Sequence, residues 1–173
     1  MSFLIWLESI RFPFMDWFMA LITHLGEETF FILAALIVFW CWDKYHGYYL
    51  LFIGLCGTVI NQFLKILFRI PRPWVLDPEF EIVESARAEA TGYSFPSGHT
   101  QSATTLYGGF ARMVKQNWLR ILGIALVVLV AFSRMYLGVH TPKDVLVSLL
   151  IGIALTLAIY PLVQKGKNNT KYI

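Results

Sequence analysis

Residues 46–68 read HGYYLLFIGLCGTVINQFLKILF, an apolar run interrupted only by Asn61, Gln62 and Lys65. An α-helix needs about 20 apolar residues to cross the hydrocarbon core of a bilayer, and this run reaches that length. A second run, residues 145–164 (VLVSLLIGIALTLAIYPLVQ), contains no charged residue. These two stretches predict a protein built from membrane-spanning helices.

The composition agrees with this prediction. Of the 173 residues, 57% are hydrophobic and 14% are charged, and the mean hydropathy is +0.61. An average soluble domain has about 25% charged residues. The length predicts a single domain over residues 1–173, with its core in residues 46–164. The net charge of +3 is small, and we expect neither a nucleic-acid partner nor an obligate protein partner.

Three further stretches are candidate spans. Residues 28–43 end in Trp40 and Trp42, which suit the membrane interface, and residues 118–137 form another apolar run. Residues 97–115 are rich in Ser, Thr and Gly and also contain a histidine. Because a polar span normally faces a bundle interior or a wet cavity, we expect the stretch 97–115 to line the functional site.

The first 25 residues allow two arrangements. Residues 2–12 have an amphipathic pattern, Pro13 follows, and residues 14–25 are apolar but short. They form either a kinked sixth crossing or an interfacial helix followed by a short inserted helix, and the second arrangement is favoured. The predicted fold class is therefore all-α: an integral membrane helical bundle of five to six transmembrane helices with an N-terminal amphipathic or short helix.

Basic residues predict the orientation of the bundle. They gather near one short loop, in the chain terminus and in a turn at 43–47, namely Arg112, Lys115, Arg120, Lys165, Lys167, Lys171 and Lys44. Alternating crossings place these regions on one side, which the positive-inside rule assigns to the cytoplasm. The long loop 70–96 then lies outside and the C-terminus inside a cytoplasmic membrane.

Three polar clusters lie at the ends of the apolar segments, all on the predicted outer side. They are Lys65-(x6)-Arg72-Pro73, Pro96-Ser97-Gly98-His99 and Ser133-Arg134-(x5)-His140-(x3)-Asp144. Together they supply three cations, two histidines and a carboxylate. That set suits phosphoryl transfer, which needs positive charge around the phosphate, a nucleophile or base, and an acid for the leaving group.

Several of these residues also have structural interpretations. Asp144 follows a Thr-Pro helix start and suits a capping acid, and Ser97 suits a helix cap. Lys65 could extend from a helix end to the interface, and Arg134 could complement a helix C-terminus. The amides of Ser97 and Gly98 lie at a predicted helix N-terminus, which favours anions. No zinc spacing is present, and we expect Cys41 and Cys56 to be free thiols.

The order and spacing of the three clusters resemble the signature of the type 2 phosphatidic acid phosphatase superfamily, which includes glucose-6-phosphatase and the vanadium-dependent haloperoxidases. The resemblance runs from Lys65 to Asp144. It implies that His140 is the nucleophile and forms a phosphohistidine, that Asp144 orients it, and that His99 protonates the leaving oxygen. The implied phosphate-binding residues are Lys65, Arg72, Ser97, Gly98 and Arg134, with no metal ion and no cofactor.

The expected function is a membrane lipid phosphatase whose active site lies at the outer face. The compact layout resembles small bacterial undecaprenyl pyrophosphate phosphatases, so undecaprenyl pyrophosphate is the first expected substrate. Phosphatidic acid and phosphatidylglycerophosphate remain alternatives. A haloperoxidase is disfavoured because those relatives are soluble. A non-enzymatic anion-binding or transport protein would need the cations, but not a nucleophile with its orienting acid.

Overall fold

The computed structural model describes residues 1–170, with side chains up to residue 167. This part of the chain contains no β-strand. Its α-helices are α1 (Ser2–Ser9), α2 (Pro13–His24), α3 (Glu28–Cys41), α4 (Lys44–Phe68), α5 (Pro73–Leu76), α6 (Gly98–Ala103), α7 (Gly109–Met113), α8 (Asn117–Tyr136) and α9 (Pro142–Thr170). A 3₁₀ turn (Glu84–Ala86) lies in the long loop, and a π-helical stretch (Thr104–Gly108) joins α6 to α7. Lys171, which the orientation argument counts, lies outside the described residues.

Within residues 1–170, three segments are long and apolar enough to cross a bilayer: Lys44–Leu76, Asn117–Tyr136 and Pro142–Lys167. Helices α2 and α3 together meet the same test as a pair bent by 48°. Large apolar side chains cover the outside of these helices, as expected where lipid replaces water. The predicted all-α membrane bundle is confirmed. The count of five to six crossings stays a prediction, because α6 and α7 are too short and polar for such a test.

The N-terminal segment forms two helices rather than one kinked helix. Pro13 occupies the first turn of α2, where its missing N–H leaves no hydrogen bond unmade. In α1, Leu4 and Leu7 are fully buried, whereas Ile5 and Trp6 are about half exposed. The buried pair packs in a cluster with residues of loop 77–97, α2 and the end of α8. Helix α1 therefore supports the long loop while presenting apolar side chains outward.

The start of α4 differs from the sequence prediction. Residues 43–47 were expected to form a turn, but α4 already begins at Lys44. Asp43 explains the difference: its carboxylate accepts hydrogen bonds from the backbone N–H groups of Tyr45 (2.9 Å) and His46 (3.1 Å). A capping acid of this kind satisfies donors that the first turn leaves free. The predicted turn is therefore the capped first turn of the helix.

The polar segment α6–α7 lies in the centre of the bundle, against α4, α8 and α9. Its threonine hydroxyls donate to carbonyls of the same segment: Thr104 to Thr100 at 2.6 Å and Thr105 to Gln101 at 3.1 Å. This internal bonding satisfies buried polar groups without water. Gly98, His99, Gln101 and Ser102 line the main cavity. The expectation that this segment lines the site is thus correct for its first turn, while the rest serves packing.

The two ends of the bundle carry different groups. At one end, Lys167 of α9 donates to Asp43 before α4 at 2.7 Å, and the Arg112 guanidinium lies 5.1 Å from the Tyr160 ring centre. The long loop and the three polar clusters lie at the other end. The structure therefore separates the basic regions from the motif residues, as the alternating crossings predicted.

Candidate active site

A cavity of about 380 Å³ opens at the motif end of the bundle. Six of the eight predicted site residues line it: Lys65, Arg72, Gly98, His99, Arg134 and His140. They come from the end of α4, the loop after it, the start of α6, the end of α8 and the loop before α9. Ser97 and Asp144 lie behind this wall. The convergence predicted from topology is present in the structure.

His140 is 98% buried, and its two ring nitrogens face different partners. Nε2 lies 3.0 Å from Nη1 of Arg72, and Nδ1 lies 3.6 Å from a carboxylate oxygen of Asp144. A guanidinium only donates hydrogen bonds, so Nε2 must accept and therefore carries the lone pair. The proton of the neutral ring is then on Nδ1, facing Asp144. This tautomer makes Nε2, on the side of Arg72 in the cavity wall, the nitrogen that can act as a nucleophile.

The protonation of His140 is set by its surroundings. Burial lowers the pKa of its imidazole, and the positive charges of Arg72 and Arg134 act in the same direction, while Asp144 opposes them. A buried ring beside two guanidinium groups is therefore neutral at physiological pH. A neutral imidazole is the form that can attack phosphorus.

Asp144 serves both as a helix cap and as the partner of His140. One carboxylate oxygen accepts from the backbone N–H of Thr141 (2.8 Å) and from the Ser94 hydroxyl (2.6 Å). The Thr141 hydroxyl accepts from the backbone N–H of Asp144 at 3.4 Å, which completes a capping box. The same oxygen is the one 3.6 Å from His140. The two interpretations of Asp144 are therefore compatible, because the cap fixes the carboxylate that faces the histidine.

Arg72 folds back toward the end of α4, as Pro71 and Pro73 predicted. Its guanidinium donates to the backbone carbonyls of Thr91 (2.7 Å), Gly92 (3.1 Å) and Val139 (3.0 Å). Lys65 donates to the carbonyl of Tyr93 at 2.6 Å. Both cations are thus held in place by the long loop while still lining the cavity.

Arg134 is 99% buried at the end of α8. One of its nitrogens donates to the Thr23 hydroxyl at 2.5 Å, but its Nε has no hydrogen-bond partner among the described residues. A buried charge is costly unless it is paired. With Lys65 and Arg72, this guanidinium gives the cavity three cations that a bound anion would stabilise.

The start of α6 places the second histidine. The Ser97 hydroxyl accepts from the backbone N–H of Thr100 at 3.4 Å and lies 2.9 Å from the Thr100 hydroxyl. Ser97 is fully buried. Its observed role is the helix cap, and its contact with phosphate stays a prediction. The cap directs Gly98 and His99 to the cavity.

Sequence reasoning missed several polar residues of the cavity. Glu89 lies on the long loop, 3.7 Å from Nε2 of His99, and no motif marks it. Asn61 is 98% buried, and neither atom of its amide has a partner among the described residues. Asn61 lies one helical turn before Lys65, so the polar interruption of the apolar run was the available signal.

One group of atoms is close enough to hold a metal ion. The ligand atoms of His24, Glu27 and Glu89 lie within 4.8 Å of one another. The His24 ring already contacts both acids, and partly exposed acids often gather without a metal. We therefore assign no metal ligand, and metal-independent catalysis stays a prediction.

The fold and this cavity define an all-helical membrane protein with a positively charged site that contains two histidines. Residues 45–167 match the PAP2 superfamily. The chain belongs to this superfamily, which confirms the resemblance predicted from the three motifs.

Curated relatives agree with this assignment. The chain is 33% identical over 165 residues to a probable sphingosine-1-phosphate phosphatase of Dictyostelium discoideum, covering 88% of this chain and 39% of that protein. It is 30% identical over 137 residues to an undecaprenyl-diphosphatase of Sulfolobus acidocaldarius, covering 78% and 64%. The chain thus spans less than two thirds of the length of either relative.

A solved structure shares the architecture. The transmembrane PAP2-type phosphatidylglycerolphosphate phosphatase of Bacillus subtilis superposes with a TM-score of 0.78 at 26% identity. The match covers 97% of this chain and 84% of that one. The chain is therefore a multi-pass membrane protein with the helical arrangement of a known membrane phosphatase.

Proposed function

We propose that this chain is a metal-independent phosphatase that hydrolyses a lipid phosphate ester or pyrophosphate at the outer face of a cytoplasmic membrane. The observation that carries the proposal is the pairing of His140 Nε2 with Arg72 at 3.0 Å, in a cavity that also holds Lys65 and Arg134. The geometry supplies a nucleophilic nitrogen beside Arg72 in the cavity wall, and positive charge where phosphate oxygens would lie.

The proposed reaction has two steps. In the first, Nε2 of His140 attacks phosphorus, the bond from phosphorus to the leaving oxygen breaks, and His99 gives that oxygen a proton. Asp144 stabilises the positive charge that develops on the His140 ring. In the second, water attacks the phosphohistidine while His99 takes a proton from it. Inorganic phosphate leaves and both histidines return to their starting states.

Undecaprenyl pyrophosphate is the first proposed substrate, and the name of the Sulfolobus relative supports it. Phosphatidylglycerophosphate and phosphatidic acid are the alternatives from the sequence, and the Bacillus structure supports the former. The name of the Dictyostelium relative adds sphingosine-1-phosphate to the panel. All four are lipids whose head group contains a phosphate, so each can approach the cavity from the bilayer.

The test is phosphate release from these four lipids by detergent-purified protein in the presence of EDTA. We expect His140→Ala to abolish release, because alanine has no ring nitrogen that could attack phosphorus and form the phosphohistidine. His46→Ala is the matched control, since His46 lies at the opposite end of α4. If His140→Ala retains wild-type turnover, the mechanism is wrong. If the folded wild-type protein binds phosphate but turns over no lipid, the non-enzymatic anion-binding alternative is favoured.

A further inference from the structure

The cavity contains a second pair of a histidine and a carboxylate. Nε2 of His99 lies 3.7 Å from Oε2 of Glu89, close to the 3.6 Å that separates His140 from Asp144. Both atoms of the His99–Glu89 pair are shielded from solvent, and neither has a hydrogen-bond partner among the described residues. At 3.7 Å the pair is longer than a hydrogen bond, but catalytic contacts often shorten when substrate binds.

The surroundings of His99 oppose its protonation, and the Glu89 carboxylate counteracts them. Burial disfavours a protonated imidazole at this position, and the positive charges of Arg134 at the end of α8 and Arg72 after α4 act in the same direction. His140 before α9 and His24 at the end of α2 add to this effect when they are protonated. A general acid must hold a proton before the reaction, so a nearby negative charge is needed. Glu89 supplies it.

The fold holds Glu89 in this position from two sides. Its Oε1 lies 3.4 Å from Nδ1 of His24, whose side chain is half exposed at the surface and also pairs with Glu27. The neighbouring Ala90 is buried in the apolar cluster under α1. Glu89 therefore bridges the surface histidine and the cavity histidine.

We propose that Glu89 is a positioning residue for the reaction, holding the Nε2 proton of His99 and so stabilising the imidazolium that acts as the general acid. The inference rests on the proposed phosphatase function. In the first step, Nδ1 of His99 transfers its proton to the leaving oxygen as the bond to phosphorus breaks. In the second step, the same nitrogen takes a proton from the attacking water. Glu89 stays beside Nε2 through both steps and is not consumed.

The test compares two esters whose leaving groups differ in their need for a proton. An alkoxide leaves dioctanoyl phosphatidic acid and must be protonated, whereas p-nitrophenolate is a weak base that leaves p-nitrophenyl phosphate unaided. General acid catalysis contributes about 100-fold or more. We expect Glu89→Gln to lower kcat/KM at least 10-fold for the phosphatidic acid, mainly through kcat, and less than about 3-fold for p-nitrophenyl phosphate.

Two further variants make the result specific. Glu84→Gln removes one negative charge from the same loop, where Glu84 is exposed and pairs with Arg87, and should leave both rates near wild type. His99→Gln should show the same selective loss as Glu89→Gln. The double variant should be no slower than His99→Gln alone, because the two residues act through one proton. The assays contain EDTA.

The pH profile gives a second readout that a structural role would not change. With the phosphatidic acid, turnover falls on the alkaline side as His99 loses its proton, and Glu89→Gln should move that fall to lower pH. Equal losses on both esters, an unshifted profile, or faster turnover of both esters would overturn the role of Glu89 while leaving the phosphatase intact. A wild-type protein that hydrolyses neither ester nor any of the four lipids would overturn the proposed function and this inference with it.

Discussion

At Gly98, the missing side chain matters for the cavity and not for the packing of the fold. A Cβ added at Gly98 would meet only Oδ1 of Asn61, at 3.8 Å, which is ordinary van der Waals contact. The protein therefore does not need glycine here for packing. Gly98 forms part of the cavity wall, and its missing side chain would let the backbone come close to a bound phosphate.

We therefore expect Gly98→Ala to leave the thermal unfolding temperature in detergent within about 2 °C of wild type while weakening anion binding about 10-fold or more. The measurement is the inhibition constant of orthovanadate against phosphate release. Gly108→Ala is the matched control, because nothing lies within 4 Å of a Cβ at that position in the same helical segment. Unchanged inhibition in Gly98→Ala would show that phosphate does not approach this backbone.

Sequence could place residues that lie in helices or next to helix ends. His140 and Asp144 are four residues apart across a helix start, so local geometry alone brings them together. Lys65, Arg72 and Arg134 follow from where apolar segments end. Glu89 could not be predicted, because its contact with His99 depends on the path of the long loop, for which no periodic pattern exists. Its position had to be observed.

At the scale of elements, α1 holds the loop that carries Glu89. Leu7 of α1 is fully buried in the cluster that includes Phe80 and Ala90 of the loop. Glu8 accepts from the backbone N–H of Glu81 at 3.0 Å, which adds a polar link between α1 and the loop. The N-terminal helix is thus a structural part of the site although it lines no part of the cavity.

Leu7→Ala is expected to destabilise the loop by about 2–5 kcal/mol, since it removes buried methyl groups from a packed cluster. The expected result is faster proteolysis within residues 77–95 and lower turnover of lipid phosphate. Ile5→Ala is the control, because Ile5 lies on the exposed side of the same helix. Equal protease resistance in the two variants would contradict the supporting role of α1.

The limits of sequence prediction for elements have two causes. Apolar runs located α4, α8 and α9 because lipid-facing helices must be apolar. Their ends were less certain, as caps such as Asp43 extend a helix into polar sequence. The polar segment α6–α7 was placed correctly only because a motif begins it. Its threonine hydroxyls donate hydrogen bonds to carbonyls of the same segment, and a hydropathy pattern does not reveal such internal hydrogen bonds.

At the scale of the whole molecule, the two ends of the bundle carry different residues. Lys44, Arg112 and Lys167 lie at one end, where Lys167 reaches Asp43. The two motif histidines, His99 and His140, and the long loop lie at the other end. Because cytoplasmic loops carry an excess of Lys and Arg, this asymmetry predicts the orientation and, with it, an outer membrane face for the site. A lipid phosphate in the outer leaflet would then reach the cavity without crossing the bilayer.

This orientation predicts opposite labelling of two exposed loop residues, Glu79 and Lys115. In a background of Cys41→Ala and Cys56→Ala, we expect a membrane-impermeant maleimide to label Glu79→Cys in intact cells and Lys115→Cys only after permeabilisation. Phosphate release by each variant checks that the fold is retained. Labelling of Lys115→Cys in intact cells, with Glu79→Cys protected, would place the site on the cytoplasmic face. The chemistry of His140 would then stand, but the accessible pool of substrate would be the inner leaflet.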